Sequence, residues 1–170
     1  GKPRSVMHSY TDLDGVPSAA DESLLTGLLR DIWGFDGTVV ADYFGIAFLK
    51  LLHGVAGSWG EAAALALTAG VDVELPTVKT FGVPLIEAVR SGSLPETVID
   101  RALRRVLRQK VELGLLDPDW DAVPEALRNV DVDNAEGIRG TVDLDNAAYE
   151  SRMIMTGTGV EGMEDMGKEL

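Results

Sequence analysis

Apolar residues recur with two different periods along this chain, and the order of those periods predicts alternating strands and helices. Ser5 to Tyr10 (SVMHSY) reads as a short strand. Asp12 to Pro17 (DLDGVP) is a turn, in which Asp and Gly supply the tight backbone and Pro stops extension. Leu24, Leu25, Leu28, Leu29 and Ile32 recur at helical spacing, so a helix capped by Ser18 or Asp21 is expected to run to about Trp33. Thr38 to Tyr43 is the second strand. Ile46 to Val55 is apolar and expected to be helical or irregular. Trp59 to Ala69 predicts a helix that Gly70 ends. Val71 to Leu75 is a third strand, stopped by Pro76. Pro84 to Ser91 predicts a helix closed by Gly92, and Leu94 to Leu116 another, with Pro95 in its first turn. In that last helix Ile99, Leu103, Val106, Leu107 and Leu113 form the apolar stripe. Arg101, Arg104, Arg105, Arg108 and Lys110 form a basic face, expected to be a solvated outer surface.

The order strand, helix, strand, helix, strand, helices is the rhythm of a parallel α/β structure. Three strands are too few to close an eight-stranded barrel. Residues 1–116 hold this pattern. Residues 117–151 are rich in Asp and, at their start, Pro, and read as a linker or surface wrap. Residues 152–170 (RMIMTGTGVEGMEDMGKEL) lack apolar periodicity and are expected to be disordered. No repeat of fixed period is present. The chain opens at Gly1 rather than Met and enters a strand pattern at once, so its start is expected to lie upstream and the chain to be a fragment.

Composition narrows the partners. With 170 residues, 45% hydrophobic and 25% charged, the chain is long enough for one domain with a sizeable core. A net charge of −13 argues against nucleic acid and against an anionic membrane surface, and is compatible with an uncharged small substrate. No stretch has the length of a membrane span. There are no cysteines, hence no disulfide framework and no thiolate metal site.

The strand Thr38-Val39-Val40-Ala41 delivers one carboxylate, Asp42, at its C-terminal tip, followed by Tyr43 and Phe44. A charge at the end of a buried strand is costly unless something pairs or uses it. In a parallel barrel that end opens onto the active-site face. From the pattern alone, Asp42 is either a functional carboxylate or a residue that closes a turn. Other constellations are weak. His8 and His53 lie far apart, and a lone strand histidine reads as a satisfied core or rim residue. Asp12-Leu13-Asp14-Gly15 is part of a calcium-loop pattern without its later ligands. Gly57-Ser58-Trp59-Gly60 has the wrong spacing for a nucleophile elbow.

The segment from Leu28 to Ile46 resembles the signature of family 3 glycoside hydrolases, the β-glucosidase and β-xylosidase family. Leu28, Leu29, Arg30, Gly37, Val39, Val40 and Asp42 fill the pattern, with Ala41 where Ser or Thr is usual. VMHSYTDLDGVPS is similar to the family's VMxSYNxxNGxP segment, with Asp14 in place of Asn. AGVDVELP, Ala69 to Pro76, resembles AGxDxxMP, with Leu75 in place of Met. Val89 to Asp117 matches the closing helices of the family's barrel domain, and GTVDLD, Gly140 to Asp145, the lead-in to a second domain. The likeness covers Pro3 to about Asp145 and ends after Ser151.

The resemblance implies the C-terminal part of an α/β, (β/α)8 TIM-barrel catalytic domain: about three parallel strands with their helices. It implies retaining hydrolysis of a β-glucoside or β-xyloside with Asp42 as nucleophile. By the same resemblance Met7 and Tyr10 are expected to line the sugar subsite, and Tyr43, where the family often carries Trp, to border it. No cofactor or metal is implied. The partners expected are a small carbohydrate substrate and the missing remainder of the barrel, together with an αβα sandwich domain that carries the acid/base Glu. Further residues that hold sugar hydroxyls would precede Gly1. Asp72 matches a structural position, and neither it nor Glu74 is expected to be the acid. The alternative is a non-catalytic fragment or sugar-binding remnant lacking that acid.

Overall fold

The computed structural model describes residues 3–121. The linker expected over 117–151, apart from 117–121, and the tail expected over 152–170 lie outside the described residues. Strand β1 (Ser5–Met7) pairs in parallel with β4 (Thr38–Val40), in the register Ser5↔Thr38, Val6↔Val39, Met7↔Val40. Between them β2 (Asp12–Leu13) and β3 (Val16–Pro17) form a small antiparallel hairpin. Its two turn residues, Asp14 (φ 52°) and Gly15 (φ 84°), both take left-handed backbone, the arrangement that an Asp-Gly pair favours in a two-residue hairpin.

The expected helix to Trp33 is a short 3₁₀ turn (Ser18–Ala20) followed by a π-helix, Ser23–Ile32. Asp21 takes the capping role, its Oδ1 accepting the Leu24 N–H at 3.0 Å. Five-residue hydrogen bonds such as Trp33 N–H to Leu28 O (3.0 Å) wind the chain more widely than an α-helix. The apolar face therefore drifts. Leu25 is buried, but Ile32, aligned with it at α-helical spacing, is 74% exposed.

After β4 come α1 (Gly45–Leu51), α2 (Trp59–Ala69), α3 (Val83–Arg90) and α4 (Glu96–Glu112). The third strand is not formed as expected. Val71 to Leu75 runs beside β4 but makes only one parallel bridge, Val40↔Val73. The Leu75–Pro76 peptide is cis. Helix α2 separates two apolar clusters. Ala62, Ala66 and Ala69 pack with Val39, Ala41, Ile46, Leu49 and Val71, while Ala63 and Leu67 pack with Leu85, Ala88, Leu94 and Ala102. Small side chains let its neighbours come close: a Cβ on Gly60 would stand 3.1 Å from Pro84 O.

Helix α4 corrects part of the expectation of a solvated basic face: Arg104, Arg108 and Lys110 are exposed, but Arg101 and Arg105 are partly buried. Arg105 Nη1 bonds Asp72 at 2.9 Å, Arg101 Nη2 bonds Leu67 O at 2.7 Å, and Arg108 bonds Asp36 O. Gln109 accepts from Thr38 (2.5 Å) and donates to Ser5 (3.0 Å), joining the first residues of both parallel strands. The side chain of Asp72 is fully buried and needs cationic and N–H donors there. Of the predicted apolar stripe, Leu103 (51%), Leu107 and Leu113 are exposed instead. No described helix is long and apolar enough to cross a membrane.

Candidate active site

The tips of β1 and β4 bring the predicted site residues together. Beyond Val40, the Ala41 N–H donates to Val73 O (2.8 Å) and the Phe44 N–H to Leu75 O (2.9 Å), so the segment holding Asp42 is pinned on both sides. Asp42 is half-buried. Its Oδ1 accepts the Tyr43 N–H at 2.8 Å, and its carbonyl accepts the Gly45 N–H at 2.8 Å. Phe44, with φ 60°, turns the chain sharply from strand into α1. Asp42 thus does close a turn, and the same turn presents its carboxylate at the strand tip.

Tyr10 reaches this turn from the loop after β1. Its hydroxyl donates to Tyr43 O at 2.7 Å, and its ring packs on Phe48 with centroids 5.4 Å apart. The phenol is held well above its ordinary pKa, first by burial and then by the hydrogen bond and charge of the Asp42 carboxylate. It therefore stays a protonated donor beside Asp42 at neutral pH. Met7 pairs with Val40 in the ladder, two residues before Asp42, and is 49% exposed. Tyr43 is also exposed. Met7, Tyr10 and Tyr43 therefore all lie at the open rim around Asp42.

Neither neighbouring carboxylate is available as an acid. Asp72 accepts Arg30 Nη2 (2.8 Å), Arg105 Nη1 (2.9 Å) and the Val39 N–H (2.9 Å). Arg30 also donates to Gly37 O at 2.9 Å; burial lowers its pKa, opposed by the charge of Asp72. Glu74 accepts the N–H groups of Lys79, Thr80 and Phe81 and the Thr80 hydroxyl, at 2.7–3.0 Å, and so organises the loop after the third extended segment. Among the described residues no cluster of His, Asp or Glu is arranged to hold a metal ion.

Sequence reasoning passed over two residues at this site. His8, read as an ordinary core or rim histidine, is buried against Gly45, and burial lowers its pKa despite the bond to Ser9 and the charge of Asp42. Gly45 carried no signal beyond its place after two aromatics.

A putative β-xylosidase of Formosa agariphila is 39% identical over 145 residues, covering 85% of this chain and 19% of the relative. Among solved structures, a β-glucosidase of Erythrobacter marinus superposes with a TM-score of 0.62 at 46% identity, covering 65% of this chain and 15% of that one. A Listeria innocua β-glucosidase in complex with glucose gives a TM-score of 0.62 at 32% identity, over 66% of this chain and 15% of that one. The chain thus spans about a fifth or less of the length of these relatives. Residues 2–109 match the model of the glycosyl hydrolase family 3 N-terminal domain, and the chain belongs to that glycosidase family.

Proposed function

We propose that this chain is the part of a (β/α) barrel that supplies the nucleophile of a retaining β-glycosidase, with Asp42 as that nucleophile and a β-xyloside or β-glucoside as substrate. The observation that carries the reading is the Asp42 carboxylate at a pinned strand tip, half-buried, beside a phenol that stays protonated. In the first step a carboxylate oxygen of Asp42 attacks the anomeric carbon. The bond to the leaving oxygen breaks, and a carboxylic acid outside the described residues protonates that oxygen. A glycosyl ester on Asp42 results. Water, deprotonated by the same outside group, then attacks the anomeric carbon and frees the carboxylate. Tyr10 supports the first step by donating to Tyr43 O and so holding the turn that presents the reacting carboxylate. Met7 and Tyr43 offer an apolar wall and an aromatic edge to the sugar.

The test is intact mass after incubation with an activated 2-deoxy-2-fluoro β-xyloside or β-glucoside, followed by peptide mapping. Such a reagent carries its own leaving group, so attack does not wait for the acid. A stable adduct on Asp42, absent in Asp42→Asn, is expected; an adduct on another residue overturns the assignment. A second reading, a sugar-binding remnant without chemistry, is favoured by the full engagement of Asp72 and Glu74 in structural bonds. It predicts sugar binding that survives Asp42→Asn and no ester at any time.

A further inference from the structure

We propose that His8 is a positioning residue for Asp42, a buried wedge that seats the turn carrying the carboxylate; the inference rests on the reading of Asp42 as the nucleophile. His8 follows the last residue of β1 and is 5% exposed. Its Nδ1 lies 3.0 Å from Ser9 O. A carbonyl only accepts, so Nδ1 carries the proton and Nε2 keeps a bare lone pair. Nε2 is buried and has no hydrogen-bond partner among the described residues. The ring therefore meets neither solvent nor substrate. It fills space, and the space is over Gly45.

A Cβ on Gly45 would stand 2.5 Å from His8 Cε1 and 3.2 Å from Nε2. The backbone does not call for glycine there. Gly45 is the first residue of α1 and its φ is outside the left-handed region, so alanine would suit the helix better. What forbids a side chain is the imidazole. Gly45 in turn donates to Asp42 O and follows the left-handed Phe44, so the ring bears on the residue that closes the Asp42 turn. Tyr10 lies two residues after His8 in the chain, so the segment that carries the wedge also carries the phenol that bonds the Asp42 turn. Burial keeps the imidazole uncharged, so it adds no cation beside the carboxylate.

Gly45→Ala, His8→Ala and the double variant are compared with the unaltered 170-residue chain in two readouts. One is the rate of Asp42 ester formation with the activated 2-fluoro β-glycoside. The other is the Tyr10 phenol titration by ¹³C NMR, which reports how the phenol is buried and seated beside Asp42 whether or not chemistry occurs. Gly45→Ala should slow labelling by about a hundredfold, the scale of a 1 Å misplacement, and move the Tyr10 titration down toward that of free tyrosine. Adding His8→Ala should return both to the values of His8→Ala alone. A double variant no better than Gly45→Ala overturns the proposal, as does coupling seen only in the melting temperature. If Gly45→Ala fails to fold, a folded double variant supports the wedge and an unfolded one overturns it. If the unaltered chain is not labelled at Asp42, the nucleophile reading fails for this chain. The Tyr10 titration cycle then decides alone: coupled shifts keep His8 as the residue that sets this contact, and uncoupled shifts overturn it.

Discussion

The one phenolic proton on Tyr10 is donated to Tyr43 O at 2.7 Å, beside the Asp42 carboxylate. Tyr10→Phe removes that proton and leaves the ring on Phe48. Loss of the bond that anchors the turn carrying Asp42 should slow ester formation by about tenfold, or ~1.4 kcal/mol. The same phenol has a pH signature. Its pKa is raised in the folded state, while in the unfolded chain it titrates near 10.0. The folded state thus holds this proton longer. The stabilisation is complete below about pH 10 and is lost as pH rises beyond it. Alkaline unfolding should therefore lose part of its pH dependence in Tyr10→Phe, read from melting temperatures across that window. At this scale the sequence was legible where a residue type is demanding. Asp42 stood out from its strand-tip position, while Met7, Tyr10 and Tyr43 were named only through the family resemblance. His8 was not, because its role depends on a glycine 37 positions away (8 to 45), and no local pattern links the two.

Helix α2 shows what local signals can do. Ser58 Oγ accepts the Glu61 N–H at 3.1 Å and Glu61 Oε2 accepts the Gly57 N–H at 2.7 Å, a reciprocal cap at one end. Gly70, with φ 124°, ends the helix at the other. Ser58→Ala should destabilise the protein by about 1 kcal/mol, measured as a lowered urea midpoint with an unchanged slope. Helix α4 shows where such signals mislead. Periodicity assigned its arginines to solvent and its leucines to the core, because apolar burial is the usual driving force. Here the face it covers is the polar start of two strands and the buried Asp72, so Arg105 and Gln109 turn inward and Leu103 outward. The third strand failed for a related reason. Its sequence is strand-like, but the Glu74 carboxylate gathers the following loop and only Val73 joins the sheet.

Across the described molecule the central tie is Asp72. It joins the π-helix through Arg30, strand β4 through the Val39 N–H, and α4 through Arg105, with its own side chain fully buried. A buried carboxylate between two guanidinium groups does not guarantee a net gain in stability, but removing it leaves two cations uncompensated. Asp72→Ala should lower unfolding stability by about 3–5 kcal/mol, read from urea titration, and Asn, which keeps an acceptor, should cost less. Because Asp72 also fixes β4, the strand that presents Asp42, this variant should lose labelling of Asp42 at temperatures where it is still folded.

Local chemistry is what the sequence settled by itself. The caps of α2, the tight Asp14-Gly15 turn and the run to Asp42 that resembles the family signature each depend on neighbours a few residues apart, and a chain carries that information directly. Tertiary structure decided which faces point inward. Whether Arg105 is solvated, whether Val71 to Leu75 completes a strand, and whether a glycine is needed at 45 all depend on groups brought together from distant positions. Desolvation of a carboxylate and exclusion of one atom by another act through space, and only the folded chain sets those distances.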